Sequence, residues 1–467
     1  MDEGFTSERI AVPFSGPGAG TAPLAWGQKA IMKDMRVTGW THNNSGAHPL
    51  PDGLTVADVA ERLGRLMGKH PALRMRLGTD DEGRPCQEVV GSGEIDLEVF
   101  TFADDLDRSA AVDFGNRLWF DWMMEPLSPW LLRMAVMQHR GAAVYLVLTV
   151  GHLVADGVGT LLLMTDLGIG ELADQEVDPN AVWTVDLARR EQTPALRRIS
   201  DRAMRYWEEQ LRPLPPTTFG EPKHPGRLGH RYWHGRFISP AAHLAVVALA
   251  QRTRTDTSRV LLAVIATAIG RVTGITPLTT SVIVSNRFRP GLSDVIASLS
   301  QDSVLTLDLD GTVDDVVGRA RRETTRAWMQ AYYDPDQLDE LIARLDAERG
   351  YPAEVTCRIS DRRFSTRPRA EAAARGAAVT REAVRAALPE TLLSWDGYLD
   401  HTRAPDQLFI SVEDRPDVVH LQCLFDMAVL TSEEVEAVLR GVEEVAVEAA
   451  FEAGVPTRVD VPGVVVG

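Results

Sequence analysis

The stretch Gly151-His152-Leu153-Val154-Ala155-Asp156-Gly157 follows directly on the apolar run Ala142 to Val150. That run reads as a buried strand, and Leu131 to Val136 reads as a second strand joined to it by a turn over Gln138 to Gly141. A histidine and an aspartate at the end of such a strand need partners, because a buried polar group left unpaired costs about 1 to 3 kcal/mol. If the chain turns tightly from strand to helix here, His152 and Asp156 lie on one side of the turn, and Gly157 lets the backbone approach closely. The imidazole can then face a cleft while the carboxylate locks the loop. A neutral imidazole accepts the proton of an attacking amine or hydroxyl, which is worth about a hundred- to ten-thousandfold in rate. The run Thr160 to Met164 that follows suits a buried helix.

Working outward, Thr55 with Asp58 forms a capping box ahead of the apolar stripe Val56, Val59, Leu63, Leu66 and Met67, which predicts a helix packed on a sheet. Turn signals lie at Gly78 and at Asp81-Glu82-Gly83. The acidic stretch Ala173 to Asn180 reads as a linker, dividing the chain into a lobe over residues 1–178 and a lobe over residues 179–467. In the second half Ser239-Pro240 opens a helix, and Thr257 to Val272 is apolar nearly all round, as a buried helix is. Strands are predicted at Leu278 to Val284, Val304 to Leu309, Glu354 to Ile359, Gln407 to Glu413 and Val418 to Phe425. Helices are predicted near Val313 to Gln330 and Pro335 to Arg349. Thr431 with Glu434 caps a last helix carrying Val435, Val438, Leu439, Val442 and Val445. Strands and helices mixed in this way predict an α/β protein of two layered lobes with a cleft between them.

The 467 residues, 44% of them hydrophobic, can bury a large core, although the first twenty look loose. Cys86, Cys357 and Cys423 are far apart and lack metal or disulfide spacing, so a reducing cytoplasm is expected. No secretory signal and no uninterrupted apolar span of about twenty residues is evident, which predicts a soluble protein without a membrane partner. A net charge of -17 argues against nucleic acid as a partner. Against that general field stand Arg189, Arg190, Arg197, Arg198, Arg202 and Arg205, expected on one helical stretch that reads first as a solvated face with Glu and Asp neighbours and otherwise as a surface for an acidic partner. Phosphate-loop, H-E-x-x-H and G-x-S-x-G spacings are missing. Gly16 to Gly20 reads as a flexible arm, and the closest histidine pair, His230 and His234, has no ligand-spaced companions, so no metal is expected.

Other segments extend the pattern. Pro23-Leu24-Ala25-Trp26-Gly27-Gln28, Lys69-His70-Pro71-Ala72-Leu73-Arg74-Met75-Arg76-Leu77, Tyr206-Trp207-Glu208-Glu209-Gln210-Leu211, Asn286-Arg287-Phe288-Arg289-Pro290 and Ser300-Gln301-Asp302-Ser303-Val304-Leu305 occur in that order around the central stretch. Together they resemble the condensation domains of nonribosomal peptide synthesis over nearly the whole length. Residues 151–157 match that family's H-H-x-x-x-D-G signature except at Gly151. The resemblance implies two chloramphenicol acetyltransferase-like lobes in a V-shaped pseudo-dimer, with the active site in the tunnel between them, in a free-standing member of the family.

Carried over by position, the resemblance makes His152 the catalytic histidine, as base or as the group that positions the nucleophile. It makes Asp156 structural, paired with Arg287 across the lobes, and places Gly157 at the active site. Gly151, in place of the first signature histidine, is expected to leave more room beside the base. Substrate-binding candidates are Gly151, Trp26, Gln28, Ser285, Asn286, Gln301, Asp302, Ser303, Ser394 and Trp395. The implied reaction moves an acyl, aminoacyl or peptidyl group from a carrier-protein thioester to a small-molecule amine or alcohol, with no cofactor beyond the donor's phosphopantetheine arm. Two alternatives are an acyl-coenzyme A-dependent acyltransferase and a catalytically silent module that docks carriers.

Overall fold

A computed structural model describes residues 5–39, 41–104, 106–124, 129–169, 182–223, 231–352, 354–399 and 406–459. The expected linker at 173–180 and His230 lie outside these residues. The chain forms two compact units. The first takes Met1–Ile199, Ser285–Gln301 and Asp334–Asp336; the second takes Ser200–Val284, Asp302–Tyr333 and Gln337–Gly467.

In the first unit the strands are β1 (Phe5–Ser15), β2 (Gly20–Pro23), β3 (Asn43–Pro49), β4 (Met75–Thr79), β5 (Pro85–Val89), β6 (Ser92–Phe102), β7 (Leu132–His139) and β8 (Ala142–Gly151). The helices are α1 (Trp26–Thr38), α2 (Val56–Lys69), α3 (Arg108–Met124), α4 (Gly157–Asp166) and α5 (Thr184–Glu191), and α6 (Pro194–Leu211) continues into the second unit. Five strands form a sheet of order β1-β6-β7-β8-β3, and β2, β5 and β4 form a small second sheet. The predicted hairpin is present: Arg140 and Gly141, with φ of 49° and 81°, make the left-handed turn that suits the twist of β7 and β8. Thr55 and Asp58 cap α2 reciprocally, and its residues Val59, Leu63, Leu66 and Met67 are buried. Helix α4 forms as expected, but of Thr160 to Met164 only Leu163 is fully buried.

The looseness expected of the first twenty residues is corrected by β1, which pairs with β6 along its full length. Val12 and Phe14 alternate inward, and Pro13 is tolerated because β1 is an edge strand, where one side needs no donor. Nor is the glycine-rich segment an arm: a Cβ on Gly16 would lie 2.0 Å from the Gly68 carbonyl oxygen. The arginines expected on one helix fall on two, because α5 ends at Glu191 and Pro194 opens α6.

The second unit holds β9 (Tyr232–Ser239), β10 (Leu278–Val284), β11 (Gln301–Leu307), β12 (Cys357–Asp361), β13 (Leu392–Leu399), β14 (Leu408–Val412) and β15 (Val419–Asp426) in a sheet of order β11-β10-β12-β14-β15-β9-β13. Its helices are α7 (Pro240–Thr253), α8 (Thr257–Thr273), α9 (Val313–Met329), α11 (Arg367–Ala374), α12 (Arg381–Ala387) and α13 (Ser432–Ala450), together with α10 (Pro335–Arg349), whose first two residues are counted with the first unit. Helix α8 is buried on nearly every face, and α7 and α13 share one apolar core with it. Thr431 and Glu434 cap α13 as predicted. No helix among the described residues is long and apolar enough to cross a membrane.

Candidate active site

The turn between β8 and α4 is fixed first through its backbone. Gly151 N donates to Leu131 O at 2.8 Å, His152 N to His42 O at 2.8 Å, and Val154 N to Gly151 O at 2.8 Å. His42, which supplies one of these acceptors, is itself held 3.0 Å from Asp34. Asn44 of β3 reaches across to Ala155 O and Thr160 Oγ1, both at 3.1 Å, tying strand to turn. The result is a short, hydrogen-bonded corner with His152 half-buried.

Asp156 closes the corner. It is completely buried and caps α4, its Oδ1 accepting from Gly159 N at 2.8 Å and from Arg287 Nη2 at 2.7 Å. Its Oδ2 accepts from Leu299 N at 3.2 Å, Ser300 N at 3.0 Å and Ser300 Oγ at 2.9 Å. Burial opposes ionisation of this carboxyl, but the Arg287 charge and the converging donors outweigh it and hold the group below the usual carboxylate range. Arg287 donates in addition to Val295 O at 2.7 Å and Ser293 O at 3.2 Å. The ion pair expected across the lobes therefore lies within the first unit, because the segment Ser285–Gln301 packs as part of that unit.

Two glycines make this packing possible. A Cβ on Gly159 would crowd Arg287 Nη2 at 3.2 Å and Asp156 Oδ1 at 3.3 Å. A Cβ on Gly27 would sit 1.9 Å from Ser298 O, beside the amides that hold Asp156. Gly151 does not open the room expected beside His152: a Cβ there would point at Leu131 Cβ, 3.2 Å away, so the position faces packed core. Gly157 is the first residue of α4.

The remaining candidates divide. Trp26 is buried with its backbone N–H on Glu191 Oε2 at 2.7 Å. Gln28, also buried, accepts from Ala25 N at 2.8 Å and donates to Leu153 O at 3.1 Å, so its amide braces the turn. Ser285 is half-buried. Asn286, at a left-handed φ of 59°, donates to Leu299 O at 3.0 Å. Gln301 is buried at the start of β11. Asp302, Ser303, Ser394 and Trp395 belong to the second unit. There Asp302 receives Arg358 Nη1 at 2.6 Å, Ser303 donates to Ala327 O at 2.8 Å, Ser394 is exposed, and Trp395 packs edge-on to Phe425. Among the described residues no three His, Cys, Asp or Glu side chains converge as metal ligands.

The model of the condensation domain family matches residues 35–299, more than half of the chain. The AMB antimetabolite synthetase AmbB of Pseudomonas aeruginosa is 27% identical over 286 residues, 58% of this chain and 22% of the synthetase. The phosphinothricin tripeptide synthetase PhsC of Streptomyces viridochromogenes is 25% identical over 338 residues, 68% of this chain and 30% of the synthetase. The chain thus spans less than a third of the length of either relative. A solved condensation domain that mediates chain release from the enacyloxin polyketide synthase superposes with a TM-score of 0.70 at 18% identity, covering 94% of this chain and 84% of that one. The chain belongs to the condensation-domain family, a family of acyltransferases, and it has that family's two-lobed α/β fold.

Proposed function

We propose that this domain transfers an acyl, aminoacyl or peptidyl group from a carrier-protein thioester to an amine or alcohol acceptor, forming an amide or an ester. The acceptor nitrogen or oxygen attacks the thioester carbonyl, the carbon–sulfur bond breaks, and His152 takes the acceptor's proton, which passes to the departing pantetheine thiolate. The thioester is already activated, so orientation and one base suffice, and the phosphopantetheine arm arrives with the carrier.

One observation carries this reading. Of the residues from Gly151 to Gly157 only His152 and Asp156 ionise, and Asp156 is sealed with both oxygens bonded. Proton acceptance at this corner therefore falls to His152, and Asp156 and Arg287 position it.

The test is to mix the purified protein with an acylated carrier and candidate amines or alcohols and to follow the carrier by intact mass. Loss of the acyl group with appearance of the acylated acceptor is expected. Turnover of acyl-coenzyme A thioesters alone would reassign the donor, and carrier binding without turnover would reduce the domain to a docking module.

A further inference from the structure

The arginines Arg198, Arg202 and Arg205 stand at i, i+4 and i+7 of α6, so they form one row about 10 Å long on a single face of the helix. All three are exposed, and no hydrogen bond or ion pair within the described residues engages them. The contrast with their neighbours is sharp. Arg212 and Arg344 share Glu208, at 2.5 and 2.9 Å, and Arg326 reaches Glu209 at 3.2 Å. Even Asp201, inside the row's span, is turned toward Gln337 at 3.1 Å, and Arg197 beside it is taken up by Gln192 at 3.1 Å.

The row is also held in place. The opposite face of α6 buries Ala203, Tyr206, Trp207 and Leu211, and the Tyr206 hydroxyl donates to Val304 O at 2.7 Å. Like charges at these spacings work against the helix by a few tenths of a kcal/mol per pair. The row's geometry depends on α6 alone.

We infer that Arg198, Arg202 and Arg205 form the docking surface for an acidic face of the carrier domain that brings the thioester donor; the identity of the partner rests on the proposed acyl transfer. On a chain of net charge -17 an acidic partner is repelled over most of the surface, so a local cationic row sets where it lands and how it is oriented. A carrier also bears the phosphodiester of its pantetheine arm, which bidentate guanidinium groups suit. Three charges over about 10 Å are too few for strong binding to a nucleic acid backbone, whose affinity grows with the number of phosphates neutralised.

The experiment compares the full chain with its R198E/R202E/R205E variant and with a charge-conserving R198K/R202K/R205K variant. Each is titrated with acylated carrier at low and at moderate salt, and each is assayed with the carrier thioester and with a free acyl-pantetheine thioester. Charge reversal is expected to weaken carrier binding and raise the KM for the carrier about tenfold or more, leaving kcat and the free thioester reaction unchanged, with lysine restoring most of the binding. Unchanged carrier binding in the reversed variant overturns the inference, and so does a change of oligomeric state on sedimentation, which would give the row to a second copy of the chain. If the unaltered protein binds carrier through the row but turns over neither thioester, the docking surface stands and the proposed reaction falls.

Discussion

Asp156 has no exposed atom, yet its carboxylate form is the stable one, because Arg287 and four further donors reach its two oxygens. Removing the charge leaves a buried guanidinium without its anion. Asp156→Ala is expected to lower stability by about 3 to 5 kcal/mol in urea unfolding, and Asp156→Asn by less. The folded carboxyl titrates below its unfolded value of about 3.9, so its contribution is complete above that pH and is lost as the pH falls through the folded value. Acid unfolding followed by tryptophan fluorescence should therefore be shallower in Asp156→Asn than in the unaltered protein below about pH 4. A residue-scale reading of the sequence reaches His152, Asp156 and Arg287, since each carries a distinctive side chain at a meaningful spacing. It does not reach the amides of Leu299 and Ser300, because a backbone donor some 140 positions away leaves no mark on the residue that needs it. Nor does it show that the Gly151 position faces Leu131, which depends on the register of two strands.

At the scale of elements, capping residues and apolar periodicity were the readable signals: α2, α7, α8, α10 and α13 form where those signals stand. Less was legible where a partner decides the element. The edge strand β13 alternates only weakly, and β1 carries a proline, so each is defined by its pairing with β9 or β6. Helix α1 places Gly27 against the 298–299 backbone, a contact between segments about 270 residues apart. Gly27→Ala is expected to push that backbone away, cost about 1 to 3 kcal/mol or more, and loosen the amides on Asp156. Hydrogen exchange at Leu299 and Ser300 checks this: faster exchange is expected, and unchanged protection there would show that the loop accommodates the methyl group.

On the scale of the whole molecule, the units are assembled from interleaved stretches of chain, and Ser285–Gln301 completes the first unit although it follows β10 of the second. A fragment of residues 1–199 lacks Arg287, Leu299 and Ser300. It is expected to bury Asp156 unpaired or to fray, and so to unfold without a cooperative transition; sharp urea unfolding of that fragment would contradict the assembly described. Composition and charge bounded the classes of partner but said nothing of this interleaving, which follows from long-range pairing. The proposed chemistry rests on the imidazole of His152 accepting the acceptor's proton. Single-turnover deacylation of a loaded carrier, read by intact mass for the unaltered protein and for a His152→Ala variant with the same urea midpoint, tests it directly. A fall of about a hundred- to ten-thousandfold is expected in the variant, and equal rates for the two proteins would show that His152 is not the base.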